Sequence, residues 1–482
     1  MSPSRPHIVW FRDDLRLSDN PALTRAASSE APIVALYLLD EETRRPLGGA
    51  ARWWLAGSLR ALEKDLRKRG IPLVLRRGPA MEHLVDLATS LKAQAVFWNR
   101  RAGADSEADE DKSLVGALKN RGIDSAHFQA NVLFSTNDLR TNSGAAYRVF
   151  TPFWRAACRL SPERPLPIPK AMSGWEGEIS GDILDAWCLR PTAPDWAGGI
   201  AEAWTPGEED AQRRLQVFLG HPVLDYAEGR DFPAEAVTSR LSPSLRFGEI
   251  SPRQIWHSVK AAQSSGDIPD RAGEKFLAEL GWREFCHQLL AAHPALAVRN
   301  FNSDFDHFPW AENEVALARW QEGRTGYPVV DAGMRELWAT GWMHNRVRMI
   351  TASFLTKHLL IDWRAGEKWF WDTLVDADPA NNPAGWQWVA GCGADAAPYF
   401  RIFNPVLQGE KFDPDGAYTR HWVPELALLD KRWLHHPWDA PEAALKSAKI
   451  TLGQTYPSPL VDHSKARKRA LASYEEMKRA RS

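Results

Sequence analysis

The first 130 residues alternate short apolar runs with stretches of helical period. HIVWF (7–11), IVALYLLD (33–40), IPLVLR (71–76), AVFWN (95–99) and a weaker DSAHFQ (124–129) predict five strands. Residues 50–69 and 79–91 repeat their apolar positions at helical spacing between them. Strands separated by helices pair in parallel through right-handed crossovers, so the pattern predicts an open, Rossmann-like α/β domain over residues 1–135. From 136 to 208 the period decays into Pro- and Gly-containing segments such as PERPLPIPK (162–170) and LRPTAPDWAGG (189–199), which predict an inter-domain connection. Over 209–482 the period is helical, with Ser251-Pro252 a good N-cap and first helical residue, and an all-α domain is expected.

Composition narrows the function classes. Sixty Lys and Arg against 61 Asp and Glu give a net charge of -1, so the chain does not coat nucleic acid by global charge, and any docking of phosphates must be local. Four scattered cysteines form no CxxC pair, which argues against a disulfide framework, a zinc site or any other metal centre. The MSPSRP start leads into an apolar run too short for a signal segment, so a soluble cytoplasmic protein without membrane contact is expected. Neither GxGxxG nor GxxxxGK[ST] occurs in the α/β region, and a nucleotide cofactor should bind elsewhere.

Four helical-domain segments carry candidate chemistry. In FLAELGWREF (276–285), Glu279, Trp282 and Arg283 share one helix face, which suits a planar anionic ligand but also a plain intrahelical ion pair. In GWMHNRVRM (341–349), Trp342, Asn345 and Met349 share a face, and Asn345 is a polar amide on an otherwise buried stripe. TSRLS (238–242) offers hydroxyls, an arginine and backbone N–H groups near a helix start, enough for a pyrophosphate or for ordinary capping. WFWDTLVDADPANNPAGWQWVAGCGADAAPYFRIFNP (369–405) makes poor sense as core packing alone and favours function.

From WFRDDLRLSDNPAL (10–23) to FRIFNP (400–405) the chain resembles the photolyase/cryptochrome family, most specifically in TGYPVVDAGMRELWATGWMHNRVRMITASFL (325–355) and in 369–405. The resemblance implies an α/β antenna domain and a helical domain holding FAD beneath a pocket for a flipped lesion. It implies FAD contacts from Tyr226, Thr238, Ser239, Arg240, Leu241 and Ser242 around the phosphates. Phe276, Arg283, Trp342, Asn345, Arg348, Asp376, Asp378 and Asn382 match the contacts to the remainder of the cofactor, with Phe276 standing where the family often has Trp. Lesion-facing positions match Arg230, Glu279, Trp282, Asn345, Arg346, Met349, Trp388 and Arg401. Trp386, Trp363 and Trp310 match an electron relay, while Trp338 is read as core.

The implied activity is blue-light repair of cyclobutane pyrimidine dimers in double- or single-stranded DNA, by a monomeric enzyme of class I or class III type. Excited reduced flavin lends an electron to a dimer flipped out of the stack, a route the handling of buried bases requires. Glu279 would donate a hydrogen bond to the charge developing on the dimer, burial favouring the acid form, and Asn382 would sit against the flavin without a proton to give. A (6-4) photoproduct photolyase would carry histidines where Asn345 and Met349 stand. A cryptochrome-type photoreceptor would usually replace Asn382 by Asp and extend the C-terminus. A second, antenna chromophore is expected near LGGAARWWL (47–55) and Asn99-Arg100, as methenyltetrahydrofolate or else a deazaflavin.

Overall fold

The computed structural model describes residues 5–101, 105–135, 138–399 and 401–480; position 136, the first of the expected connection, and Phe400 of FRIFNP lie outside them. All five strands form: β1 (His7–Phe11), β2 (Ile33–Leu39), β3 (Leu73–Arg77), β4 (Ala95–Arg100) and β5 (Asp124–Gln129). Every pairing is parallel, in the order β3-β2-β1-β4-β5. That order accounts for the strength of each sequence signal. β1 and β2 are inner strands buried at every position, whereas β5 is an edge strand with no fully buried residue. Four helices, α1 (Pro21–Ala26), α2 (Gly49–Arg67), α3 (Ala80–Ser90) and α4 (Asp105–Lys119), make the crossovers.

Because β1 lies between β2 and β4, the strand order reverses beyond its C-terminal end, where open α/β sheets form their ligand crevice. Here that place is filled by the chain's own polar side chains. Buried Arg12 pairs with Asp111 at 3.0 Å, and Asn99 Nδ2 donates to Asp14 Oδ2 at 2.6 Å and to Asn20 Oδ1 at 2.8 Å. Asn99, expected beside an antenna chromophore, is therefore consumed by the fold, while the exposed Arg100 donates to His127 Nδ1 at 3.0 Å.

The proline-rich connection is also more ordered than its sequence suggests. It forms α5 (Phe150–Ala157) and lies along the sheet, Ile33 N donating to Ser173 O at 2.8 Å, Trp175 N to Ile33 O at 3.1 Å and Asp182 N to Leu75 O at 2.7 Å. Proline breaks the periodicity, but buried backbone groups still require partners. The compact units accordingly differ from a division at 208: one comprises Met1–Leu224 with Ser239–Pro294, the other Asp225–Thr238 with Ala295–Ser482. The first unit includes α6 (Pro252–Ser265), opened by a Ser251–Gln254 capping box, and α7 (Asp270–Ala292). Gly281 lets α5 approach α7 closely, since a Cβ there would lie 2.3 Å from the Trp154 ring.

The second unit is helical. Its principal elements are α8 (Pro328–Thr340), α9 (Asn345–Ser353), α10 (Trp363–Thr373), α11 (Asn381–Ala390) and α12 (His463–Ala480). Trp320, Phe354, Trp363 and Trp386 belong to its core, and α12 adds Ala470 and Met477 to it while Lys465, Arg467 and Lys468 stay exposed. The basic C-terminal helix is thus an ordinary amphipathic one.

Candidate functional site

In the first unit, α7 carries Phe276, Glu279, Trp282 and Arg283. Phe276 is buried against Phe218, with ring centroids 4.5 Å apart. Trp282 is half-buried, and one indole face is covered by Phe150, stacked at 3.8 Å and 8°. Arg283 Nη1 donates to Asn131 O at 2.8 Å and to Glu284 Oε1 at 3.1 Å. Glu284 also accepts from Leu133 N at 2.7 Å, and burial raises its carboxyl above the usual range. This buried acid, which sequence reasoning passed over, ties α7 to the 131–133 segment and orients Arg283. The TSRLS loop runs from half-buried Ser239 through Arg240, whose backbone takes φ 52° and whose guanidinium lies 5.1 Å over Trp204, to buried Leu241 at the start of the short helix Ser242–Arg246.

The second unit holds the other candidates. α9 begins at Asn345, not at Trp342, because His344 caps it: Arg346 N donates to His344 Nδ1 at 3.2 Å. Asn345 is therefore an exposed first-turn residue and not an amide on a buried stripe, and Trp342 lies in the preceding turn. His344 is buried, which pushes its imidazole down to about 4, so it is neutral at physiological pH. Arg348 Nη2 meets Asp376 Oδ2 at 2.7 Å, its Nε donates to Met343 O at 2.8 Å, and its guanidinium lies 6.0 Å from the Trp342 ring. Asp376 Oδ1 is buried and has no partner among the described residues. Asp378 Oδ1 accepts from Ala380 N at 2.9 Å and Asn381 N at 2.7 Å, fastening the start of α11.

Asn382, in the first turn of α11, donates from Nδ2 to Glu367 O at 3.1 Å and to Glu367 Oε1 at 2.9 Å. Buried Glu367 fixes the amide, leaving Oδ1 as the atom Asn382 presents away from α10; no sequence signal links the two residues. Met349 and Trp388 are half-buried and Arg401 is exposed. Tyr226 lies 5.5 Å beneath the Arg230 guanidinium, and Arg346 pairs with Asp231 at 2.8 Å.

Of the three tryptophans expected to form a relay, two are buried and one is half-buried. Trp386 is buried edge-on to Phe370, with centroids 4.9 Å apart; Trp363, the first residue of α10, is fully buried; Trp310 is half-buried beside Phe308. Gly366, one turn after Trp363, lets the Trp386 ring rest directly on α10, where a Cβ would lie 2.1 Å from it. Trp338 is not core: it is 57% exposed and stacks on Trp369 at 6.1 Å and 7°.

Residues 276–476 match the FAD binding domain of DNA photolyase, and residues 7–170 match the DNA photolyase domain. The chain is 51% identical to a deoxyribodipyrimidine photo-lyase of Agrobacterium fabrum over 98% of both proteins. It belongs to the photolyase/cryptochrome family. A class III photolyase from Agrobacterium tumefaciens superposes with a TM-score of 0.96 at 50% identity, covering 99% of this chain and 98% of that one. Cryptochrome-1 of Arabidopsis thaliana is 39% identical over 95% of this chain and 69% of its own length. The photolyase/cryptochrome fold, an N-terminal α/β domain and a helical FAD-binding domain, is the one described above. The residues present fit a flavin nucleotide: Asp376 Oδ1, buried and without a partner among the described residues, suits an N–H or O–H of the cofactor. No helix among the described residues is long and apolar enough to cross a membrane.

Proposed function

We propose that this family member is a deoxyribodipyrimidine photo-lyase that uses FAD and blue light to repair cyclobutane pyrimidine dimers in DNA. The observation that carries the choice of lesion lies at the start of α9. Asn345 and Met349 occupy the positions where a (6-4) enzyme has histidines, and the neighbouring His344 is buried, neutral and committed to capping. No imidazolium acid is offered there, and ring splitting of a cyclobutane dimer needs none. Of the two classes left open by the sequence, 50% identity to a class III enzyme favours class III.

Reduced FAD, when bound, supplies the photoexcited electron that opens the cyclobutane ring. The protein's part is binding, orientation and electrostatics. Ser239, Arg240, Leu241 and Ser242, with Tyr226 and Thr238, hold the cofactor's phosphates; Phe276, Arg283, Trp342, Asn345, Arg348, Asp376 and Asp378 hold the remainder. Asn382, held by Glu367, presents a carbonyl oxygen and has no proton to transfer. Arg230, Arg346 and Arg401 grip the DNA backbone, while Trp282 and Trp388 wall the flipped dimer, Trp282 with the face that Phe150 leaves open. Trp386, Trp363 and Trp310 would form the electron path between the surface and the bound cofactor when its flavin is oxidised. Methenyltetrahydrofolate serves as antenna, and the enzyme works as a cytoplasmic monomer; the absorption spectrum of released chromophore and the sedimentation mass check these two points.

Dimer-containing DNA should be restored under blue light and left untouched in the dark, and equal loss of dimers in both conditions would remove the photolyase reading. Glu279→Ala should keep flavin and lesion binding but lower repair quantum yield about three-fold or more, because a donor to the transient charge is lost. Unchanged yield takes Glu279 out of the reaction. Arg401→Ala should weaken DNA binding by about 1 kcal/mol and flatten log affinity against log salt by about 0.9, the share of one phosphate contact. An unaltered slope would show that Arg401 meets no phosphate.

A further inference from the structure

Asp231 stands between two of the three arginines assigned to the DNA backbone. Its Oδ2 lies 2.8 Å from Arg346 Nη2 and its Oδ1 3.9 Å from Arg230 Nε. The first contact is an ion pair; the second is too long for a hydrogen bond but within strong Coulombic reach. Arg346 is held from a second direction as well, its guanidinium 4.4 Å over the Phe412 ring, which meets Phe232 edge-on at 6.1 Å. Side-chain exposure is 19% for Arg346 and 35% for Asp231, so the pair is partly open to solvent and to an approaching phosphate.

We propose that Asp231 sets the selectivity of the docking face, by occupying Arg346 and partly neutralising Arg230 until a lesion-bent backbone displaces it. The inference rests on the reading of Arg230 and Arg346 as phosphate ligands. Non-specific DNA binding is almost wholly electrostatic, so a carboxylate placed among the docking cations suppresses it directly. A partly exposed ion pair is weak enough for phosphate to exchange with the carboxylate when the backbone is brought to Arg346. Undamaged duplex, which is not bent or flipped, leaves the pair intact and meets the carboxylate as a repulsive group. Discrimination thus comes from an element built against the wrong ligand as well as from contacts to the right one.

The test uses the full chain carrying its flavin, an undamaged duplex and the same duplex with one thymine dimer. Asp231→Asn should tighten binding to undamaged DNA about five-fold and steepen its salt slope by about one. Binding to the dimer duplex should tighten no more than about two-fold, so the specificity ratio falls. Asp231→Glu, which keeps the charge, should preserve the ratio, and Asp231→Asn should tighten undamaged-duplex binding less in an Arg346→Ala background than in wild type, because only the effect on Arg230 and the repulsion of the carboxylate then remain to be removed. Unchanged or weaker binding of undamaged DNA by Asp231→Asn, in protein of normal melting temperature and flavin content, overturns the inference. If Arg346→Ala alone leaves dimer binding and its salt slope untouched, the docking assignment itself fails; if it weakens both while Asp231→Asn does nothing, only the role of Asp231 fails.

Discussion

Trp363→Phe is expected to slow blue-light reduction of bound oxidised flavin at least about ten-fold while sparing repair by enzyme whose flavin was first reduced chemically. The contrast follows from where each electron originates. Photoreduction draws on the protein and then on an external reductant, whereas in repair the electron returns from the substrate. Trp363 is fully buried and donates from Nε1 to Asn300 Oδ1 at 2.8 Å, so it has a structural role as well. Phenylalanine keeps most of the bulk but loses that hydrogen bond, at about 1–2 kcal/mol of stability. Melting temperature and flavin content must therefore be measured beside the reduction rate, which is expressed per bound flavin. Trp386→Phe is the cleaner companion, because the buried Trp386 Nε1 has no partner to lose among the described residues. Normal photoreduction in both variants would sink the relay and leave the repair activity standing.

The α/β domain was legible because inner parallel strands must be apolar along their whole length, and β1 and β2 are. The helical face of Glu279, Trp282 and Arg283 was legible for a similar reason, since all three lie on the uninterrupted α7. Periodicity failed where an element ends without a familiar marker. Trp342 to Met349 reads as one stripe, yet the helix starts at Asn345 because a histidine caps it, and histidine is not among the common N-caps. Trp338 failed differently, since an aromatic at helical spacing reads as core, and nothing nearby in sequence reveals its stacking on Trp369 at the surface. The contacts that tune the candidate site were invisible because they are long-range and single. Asp231 to Arg346, Glu367 to Asn382 and Asn300 to Trp363 each join side chains whose local sequence is unremarkable.

A second large effect is expected at Lys357, where Lys357→Met should raise the melting temperature near pH 6.5 and lose that advantage as the pH rises. Lys357 lies in the π-helical turn Phe354–His358 that follows α9 and is buried. Its Nζ donates to Arg401 O at 3.1 Å and lies 5.1 Å from the Tyr399 ring. Burial, with the Arg401 charge adding to it, pulls the ammonium down to about 7. An unfolded lysine titrates near 10.4. Between those values the unfolded chain binds a proton that the folded chain does not, so wild-type stability rises with pH, by at most about 1.4 kcal/mol per unit. Below about 7 both states are protonated and the full cost of the buried charge is present. Methionine fills a similar volume without that charge but forfeits the bond to Arg401 O, about 1 kcal/mol. The net gain should be about 3 kcal/mol at pH 6.5 and close to zero by pH 9.5, read as converging melting curves of the two proteins. A pH-independent difference would mean that Lys357 does not titrate in this window. Function should move the other way, because the lysine pins the backbone of the residue assigned to a DNA phosphate. The methionine variant, more stable at pH 6.5, should bind dimer DNA more weakly than wild type, which is the trade expected when a buried charge is kept to position a loop rather than to stabilise the fold.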